Sequence, residues 1–261
     1  MSDGTVVAPT VYDMVAAKIA VSAGFNAVFC GGYGQAASAL GVPDTGLLPL
    51  EVLLERVEAM TSSVDVPVLV DADTGFGDPQ AACSKLIAAG ASAIVIEDQV
   101  TEKRCGHSGG KQVVSASEMI ERLNGCISGR TAGVPIIART DAIQPLGIDE
   151  AINRGHAYLE AGADVLFIEA PRSMVEIRQI ASEFDRPLLF DVLPGGVSPP
   201  ITLRELQALG FKMVVFALVD LMLATAALSA GFAQLARTGD AARLETPLLP
   251  LATLNRITGL D

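Results

Sequence analysis

No tryptophan occurs in the chain and aromatic residues make up only 5 % of it, so a platform for stacking nucleic-acid bases is not expected. Basic residues are also in deficit. Eighteen Lys and Arg stand against 30 Asp and Glu, a net charge of −12, which argues against nucleic acid or an anionic membrane as the main partner. That global sum says little about a small anionic ligand, because one Arg, Lys or metal ion dominates a local site. Cysteine is sparse: Cys30, Cys83, Cys105 and Cys126 lie far apart in a chain long enough to need no covalent staples, and free thiols in a reducing cytoplasm are expected. Met1-Ser2-Asp3-Gly4 has no basic region ahead of an apolar one, so no export signal is read there and a cytoplasmic location is expected. A membrane span is not expected either. The most apolar stretch, Met213 to Leu235, carries Asp220 and small residues throughout, which suits a strand and a buried helix better than a bilayer.

What the chain does have is length and apolar content: 261 residues, 50 % of them apolar, with a mean hydropathy of +0.44. Short β-branched runs alternate with longer Ala- and Leu-rich segments about every thirty residues. The runs are Thr5 to Ala8, Ala27 to Cys30, Val68 to Ala72, Ala93 to Glu97, Pro135 to Thr140, Val165 to Ile168, Leu188 to Val192 and Met213 to Ala217. Helices are expected over Val11 to Ala23, Leu50 to Ser62, from Asp78-Pro79 to Ala89, from Ser115 to Ser128, over Ile148 to Ala161, after Ser173, over Thr202 to Ala208 and over Val219 to Leu235. Asp78-Pro79 and Ser115-x-x-Glu118 carry recognisable start signals. Gly31 to Gly34 reads as a Gly-rich loop. Eight such units either close as a barrel or lie open as a doubly wound sheet, and the count of eight favours a (β/α)₈ TIM-type barrel. No composition break divides the chain, so residues 1–261 are expected to form one domain with a C-terminal helical extension over about 219–261. Its apolar tail, Thr246 to Leu254, is expected to pack on a second subunit.

In a parallel barrel the carboxyl ends of all strands converge on one mouth. They supply Cys30-Gly31-Gly32, Asp71, Asp73, Glu97, Asp98, Arg139, Asp141, Glu169 and Asp191. Crowded carboxylates repel unless something neutralises them. Asp71 and Asp73 lie on one side of an extended segment, and with Glu97 they make an oxygen-only ligand set suited to Mg²⁺ or Mn²⁺. Taken singly, each acid also fits an ordinary helix cap. Cys105-Gly106-His107 is too short for a zinc site. With Lys103 and Arg104 beside it, Cys105 is expected to favour the thiolate and to take part in proton transfer. Gly31-Gly32-Tyr33-Gly34 offers backbone amides to a carboxylate or phosphate oxygen. Cys30, Cys83 and Cys126 read as buried apolar positions, and His156 as a helix residue paired with Glu160.

Lys103-Arg104-Cys105-Gly106-His107, preceded by Glu97-Asp98-Gln99 and by Val70-Asp71-Ala72-Asp73-Thr74-Gly75-Phe76-Gly77, resembles the isocitrate lyase and phosphoenolpyruvate mutase superfamily, in particular its lyase branch. The likeness runs from Pro9 to Asn255. It implies a barrel whose C-terminal helix is swapped between subunits of a homodimer or homotetramer, and Mg²⁺-dependent carbon–carbon cleavage of a hydroxy acid to an oxo acid. It further implies that Asp71, Asp73 and Glu97 hold the cation with Asp44 nearby. The oxo-acid end would rest on Gly31 and Gly32, with Cys30, Tyr33 and Lys103 around it. Gly106, His107, Arg139 and Glu169 would contact the second carboxylate, Cys105 would be the general acid, and the loop Lys103 to Lys111 would close over the substrate. Two departures stand out: Cys30 replaces the family's Ser before Gly-Gly, and Asp191 and Pro194 replace an Asn and a Glu near the specificity region. The large inserts of long isocitrate lyases are missing, which favours a pyruvate-forming lyase on a 2-methylisocitrate- or 2,3-dimethylmalate-like acid. The alternatives are an oxaloacetate-type decarboxylase or hydrolase, a phosphonate mutase, and a catalytically weak 2-oxo acid binder.

Overall fold

The computed structural model describes residues 4–260. The reading of Met1 to Gly4 therefore falls, except for Gly4, outside the described residues. In chain order the elements are β1 (Val6–Pro9), α1 (Met14–Ser22), β2 (Val28–Cys30), α2 (Gly32–Leu40), α3 (Leu50–Thr61), β3 (Val68–Asp71), α4 (Pro79–Ala88), β4 (Ala93–Glu97) and α5 (Ala116–Gly129). They continue with β5 (Ile136–Thr140), α6 (Ile143–Leu146), α7 (Ile148–Glu160), β6 (Val165–Ile168), α8 (Met174–Glu183), β7 (Leu188–Val192), α9 (Leu203–Ala208), β8 (Met213–Phe216), α10 (Val219–Thr238) and α11 (Leu251–Thr258).

The eight strands form one parallel sheet in the order β1-β8-β7-β6-β5-β4-β3-β2. Its two ends meet through a parallel bridge between Thr10 and Phe29, where the Val11 N–H donates to the Phe29 carbonyl at 2.9 Å. The sheet is thus a barrel, and strand alternation sorts its residues. Leu69, Val95, Ile137, Phe167, Leu189 and Val215 point inward with Ala8 and Phe29 and pack the lumen as one apolar cluster. Their neighbours along each strand point outward into two clusters under the helices. One is built on Val70, Ile94 and Ile136 with α3 to α5, the other on Leu166, Leu188 and Phe190 with α7 to α9.

Several local expectations are corrected. Gly31 to Gly34 is no loop: Gly31 precedes α2, and Gly32 to Gly34 form its first turn. α1 begins at Met14 because the Asp13 side chain accepts from the Ala16 N–H and stops the helix there. His156 pairs with Glu183 at 3.0 Å instead of Glu160, because α8 lies closer to the ring than the next turn of its own helix. Cys83 and Cys126 are not free thiols: they form a disulfide joining α4 to α5, with Cα atoms 5.3 Å apart. The cause is the small-residue face of α5, where a side chain at Gly129 would come within 2.4 Å of the Gln80 carbonyl. Only glycine lets the two helices approach so closely.

The buried helix expected near Val219 is exposed instead, with no buried residue in α10. By length and composition α10 is long and apolar enough to cross a membrane. Its start, however, is tied to the barrel: Asp220 accepts from Thr10 Oγ1 at 2.9 Å and from the Tyr12 N–H at 2.7 Å.

Candidate active site

The inward alternation does not stop at the lumen. Two residues beyond Leu69, Val95, Ile137, Phe167 and Leu189, the same faces carry Asp71, Glu97, Arg139, Glu169 and Asp191. A charged tier therefore sits directly on an apolar floor that excludes water from beneath. Most of its carboxylates are buried, so each pays desolvation and needs a partner.

On one side of the tier the charges are matched. Arg139 Nε donates to Asp141 Oδ2 at 2.9 Å and Nη2 to Oδ1 at 3.1 Å, a bidentate fork. The guanidinium also lies 3.5 Å from Glu169 Oε1 and over the Phe167 ring at 5.3 Å. Lys111 Nζ adds a second cation to Asp141 at 2.9 Å. Burial alone would raise the Asp141 pKa, but Arg139 and Lys111 lower it to about 2. His107 completes this side. Its Nδ1 accepts from the Val197 N–H at 2.9 Å, which leaves Nε2 to donate toward Asp191 at 3.3 Å. Burial would lower the His107 pKa, but Asp191 and then Glu169 raise it. Glu169 itself is raised to about 7, first by burial and then by Asp191 and Asp141.

On the other side the acids outnumber their partner. Lys103 Nζ reaches Asp44 at 2.9 Å and also pairs with Asp73, while Asp71 accepts from the Asp73 N–H at 3.0 Å. Both carboxylate oxygens of Glu97 are buried without a hydrogen-bond partner. Burial raises the Glu97 pKa well above the carboxylate range and raises Asp73 to about 6. Gly32 packs directly on this cluster: a Cβ there would lie 2.8 Å from Asp73 Oδ1. Asp71, Asp73 and Glu97 crowd three carboxylates around one ammonium, with Arg139 Nε 3.3 Å from Glu97 Oε2 as the other cation, and an oxygen-donor set this rich in negative charge fits Mg²⁺ or Mn²⁺. A second group, His107, Glu169 and Asp191, has potential ligand atoms within 4.8 Å of one another. There the imidazole Nε2–H already points at Asp191 and Nδ1 is taken by the Val197 N–H, so no imidazole lone pair is free for an ion.

The loop after β4 closes the mouth. A cavity of about 590 Å³, its opening included, is lined by Gly31, Gly32, Tyr33, Asp44 and Asp71 on one wall and by Cys105, Gly106, His107, Arg139, Glu169 and Asp191 on the other. Gly106 lies so close that a Cβ would fall 1.7 Å from Glu169 Oε1, and no other residue fits. The expected thiolate at Cys105 is corrected. Lys103 turns away to Asp44 and Asp73 and Arg104 turns to the Gly109 carbonyl, so burial, with Glu169 and Asp44 nearby, raises the thiol pKa. The thiol keeps its proton. Cys30 does not reach the cavity. It falls on the outward face of β2, fully buried in the core, and burial pushes its thiol up to about 12. Asp73 and Lys103 sit behind the wall, beneath Gly32, and Glu97 too stands off the cavity lining.

Sequence reasoning missed Lys111 and the buried network behind Asp141. Asp98 accepts from Thr140 Oγ1 at 2.7 Å, the Asp141 N–H at 2.8 Å, Arg154 at 3.0 Å and Tyr158 at 2.9 Å. The signal for Asp98 was its place next to Glu97. Lys111 gave none beyond its charge.

Fold and site together define an enzyme for a small carboxylic acid, with one wall of the mouth acidic and the other charge-matched. Sequence comparison narrows that class: residues 1–236 match the phosphoenolpyruvate phosphomutase family, and the chain belongs to it, within the phosphoenolpyruvate mutase/isocitrate lyase superfamily. The 2,3-dimethylmalate lyase of Eubacterium barkeri is 37 % identical over 260 residues, covering 98 % of this chain and 90 % of the relative. The 2-methylisocitrate lyase of Aeropyrum pernix is 40 % identical over 214 residues, 81 % of this chain and 69 % of the relative. The solved structure of oxaloacetate acetylhydrolase with the inhibitor 3,3-difluorooxalacetate matches with a TM-score of 0.94 at 32 % identity, covering 99 % of this chain and 90 % of that one.

Proposed function

We propose that the chain is a carbon–carbon lyase that cleaves a 2-hydroxy di- or tricarboxylic acid of the 2,3-dimethylmalate or 2-methylisocitrate type, releasing pyruvate or glyoxylate and a second carboxylate. The observation that carries this reading is the Cys105 thiol, held protonated by burial on the cavity wall. A group that must hand a proton to carbon has to hold one beforehand. Asp71, Asp73 and Glu97 would hold Mg²⁺ or Mn²⁺, directly or through water, and the bound ion would supply charge stabilisation to the oxo acid as it forms.

The chain's own residues would do the rest. The Gly31 and Gly32 backbone, with Tyr33 and Asp44 at the rim, receives the oxo-acid end, where the absence of side chains allows close approach. Gly106, His107, Arg139 and Glu169 receive the distal carboxylate, with Asp191 setting the orientation of the imidazole. As the bond beside the 2-hydroxyl breaks, the hydroxyl proton passes to a carboxylate of the acidic wall that lines the cavity, and the departing fragment becomes a carbanion equivalent. Cys105 then protonates its carbon. The apolar floor of Phe29, Phe167, Leu189 and Val215 and the closed loop keep water from that carbon first.

Assembly enters the same reading. The apolar groove between α1 and α10, lined by Val15, Ile19, Phe25 and Leu223, and the exposed Leu228 and Phe232 of α10 support a homodimer or homotetramer formed by exchanged C-terminal helices.

A second reading, hydrolysis or decarboxylation of an oxaloacetate-type acid, is favoured by the likeness to oxaloacetate acetylhydrolase. Release of pyruvate, glyoxylate or oxalate from isocitrate, 2-methylisocitrate, 2,3-dimethylmalate, citramalate and oxaloacetate, with Mg²⁺ present, separates the two. The lyase reading expects turnover of a hydroxy acid that is lost in Cys105→Ser. Turnover of oxaloacetate alone, unaffected by the substitution, supports the second reading and ends the first.

A further inference from the structure

The loop that carries Cys105 is fastened by ionisable side chains at three points: Lys103 to Asp44 and Asp73, His107 to Asp191, and Lys111 to Asp141. Lys111 is buried, its side chain only 1 % exposed, and Nζ makes two contacts: it donates to the Gly106 carbonyl at 2.6 Å and to Asp141 Oδ1 at 2.9 Å. An ammonium taken out of water costs several kcal/mol unless it is paired and hydrogen-bonded, so these contacts decide where the chain around it can lie. The two ends of the link differ in rigidity. Asp141 stands at the end of β5, its side chain fully buried and its N–H held by Asp98, which is in turn fixed by Arg154 and Tyr158 of α7. Gly106 belongs to the loop and lies between the thiol and the imidazole. Lys103 and His107 tie their own side chains down, but only Lys111 reaches across to the Gly106 backbone; the remaining holds are neutral, Gln99 with the Arg104 backbone at 2.9 and 3.0 Å and Gln144 with the Lys111 N–H and the Ser108 carbonyl at 2.8 and 3.1 Å.

We propose that Lys111 is a positioning residue that latches the Cys105 loop over the cavity by tying the Gly106 carbonyl to Asp141. The same Asp141 carries the Arg139 fork, so the latch joins loop position to the orientation of the guanidinium. When the loop lifts, Lys111 leaves with it and Asp141 keeps a single cation. The significance for turnover rests on the lyase reading; the latch itself does not.

The test therefore needs no substrate. Cys30 is buried and Cys83 is bonded to Cys126, which leaves Cys105 as the thiol an alkylating reagent meets first. The rate of iodoacetamide modification, followed by intact mass, is compared for the wild type, Lys111→Met and Lys111→Arg, with thermal unfolding measured alongside. Loss of a hydrogen-bonded charge contact predicts modification of Lys111→Met faster by about tenfold or more, with Lys111→Arg closer to the wild type. A Lys111→Met protein modified at the wild-type rate overturns the proposal. Should Lys111→Met not fold, competitive acylation of the wild-type lysines decides. Lys111 is expected to react far more slowly than Lys18 or Lys212, and comparable reactivity overturns the latch equally. If a substrate of the panel is turned over, the latch further predicts a loss in kcat exceeding the change in KM, rescued in part by arginine.

Discussion

The two walls of the barrel mouth are built from the same tier of strand ends and end up in opposite electrostatic states. On the wall of β3 and β4, the carboxylates of Asp44, Asp71, Asp73 and Glu97 act on one ammonium, Lys103, with the Arg139 guanidinium of the facing wall 3.3 Å from Glu97. On the wall of β5 to β7, Asp141, Glu169 and Asp191 meet Arg139, Lys111 and His107. The contrast shows in the pKa values: Asp73 is raised to about 6, while Asp141, equally buried, is lowered to about 2. Burial is common to both, so the difference lies in the number of cations within reach. An acid cluster left short of partners is a site for a cation from solution. A matched cluster is a scaffold that holds a guanidinium and an imidazole in fixed orientation for a carboxylate.

The largest effect is expected from unmatching the matched wall. Arg139→Leu strips Asp141 of its fork and leaves Glu169 and Glu97 facing each other, which should cost about 3 to 5 kcal/mol in denaturant unfolding. It should also lower oxo-acid release by at least about a hundredfold.

A second prediction concerns what braces the unmatched wall. The Cys83–Cys126 bond joins α4 and α5, the helices that follow β3 and β4, so a covalent tie lies behind the side where carboxylates repel. Closing a loop of this length is worth up to about 4 kcal/mol in the chain-entropy account. Reduction, or Cys126→Ala, is therefore expected to lower the unfolding temperature. Thiol titration of the denatured, unreduced protein should find Cys30 and Cys105 alone; a count that also includes Cys83 and Cys126 would contradict the bond.

The third follows from Glu169, whose folded-state pKa of about 7 lies above its ordinary value of 4.5. The folded state holds this proton more tightly than the unfolded state. The stability it contributes is full below about pH 4 and is lost as pH rises through 7, a change of at most about 3 kcal/mol. Glu169→Gln mimics the protonated group and should flatten the decline measured by denaturant unfolding between pH 5 and pH 8. An unchanged slope would mean that Glu169 is already ionised at acid pH.

The smallest effect sharpens the comparison on the acidic wall. Glu97→Gln replaces a buried carboxyl that makes no hydrogen bond and whose pKa burial raises against the pull of Arg139 3.3 Å away, so the stability of the metal-free protein should change by no more than about 1 kcal/mol. A loss of more than about 2 kcal/mol would show that the carboxylate is well partnered after all.

Much of this arrangement was legible in the sequence, because strand alternation and the convergence of parallel strand ends depend on local pattern. Ala93–Glu97, Val165–Ile168 and Leu188–Val192 have the bounds their β-branched runs gave. Asp71, Glu97, Arg139, Glu169 and Asp191 meet at the mouth because each ends such a run. What pattern does not contain is the choice of partner. Lys103 was adjacent to Cys105 in the chain but spends its charge on Asp44 and Asp73, so the thiol is neutral where the sequence read a thiolate. Cys30 was one residue from the lumen face, and a single step in a strand moves a side chain from cavity to core. The disulfide depended on Gly129 of α5, which lets the helices touch, a property of packing at a separation of 43 residues. Gly31 to Gly34 read as a loop because glycine is a poor helix former, yet with no side chains in the way the first turn of α2 packs against Asp71 and Asp73.

The division of the mouth into a cation wall and a carboxylate wall is tested most directly by calorimetric titration of Mn²⁺ into the wild type, Glu97→Gln and Glu169→Gln. The account predicts one ion per chain in the wild type, binding abolished or weakened at least about tenfold in Glu97→Gln, and binding retained in Glu169→Gln. Retention in Glu97→Gln together with loss in Glu169→Gln would place the ion among His107, Glu169 and Asp191 and contradict the account.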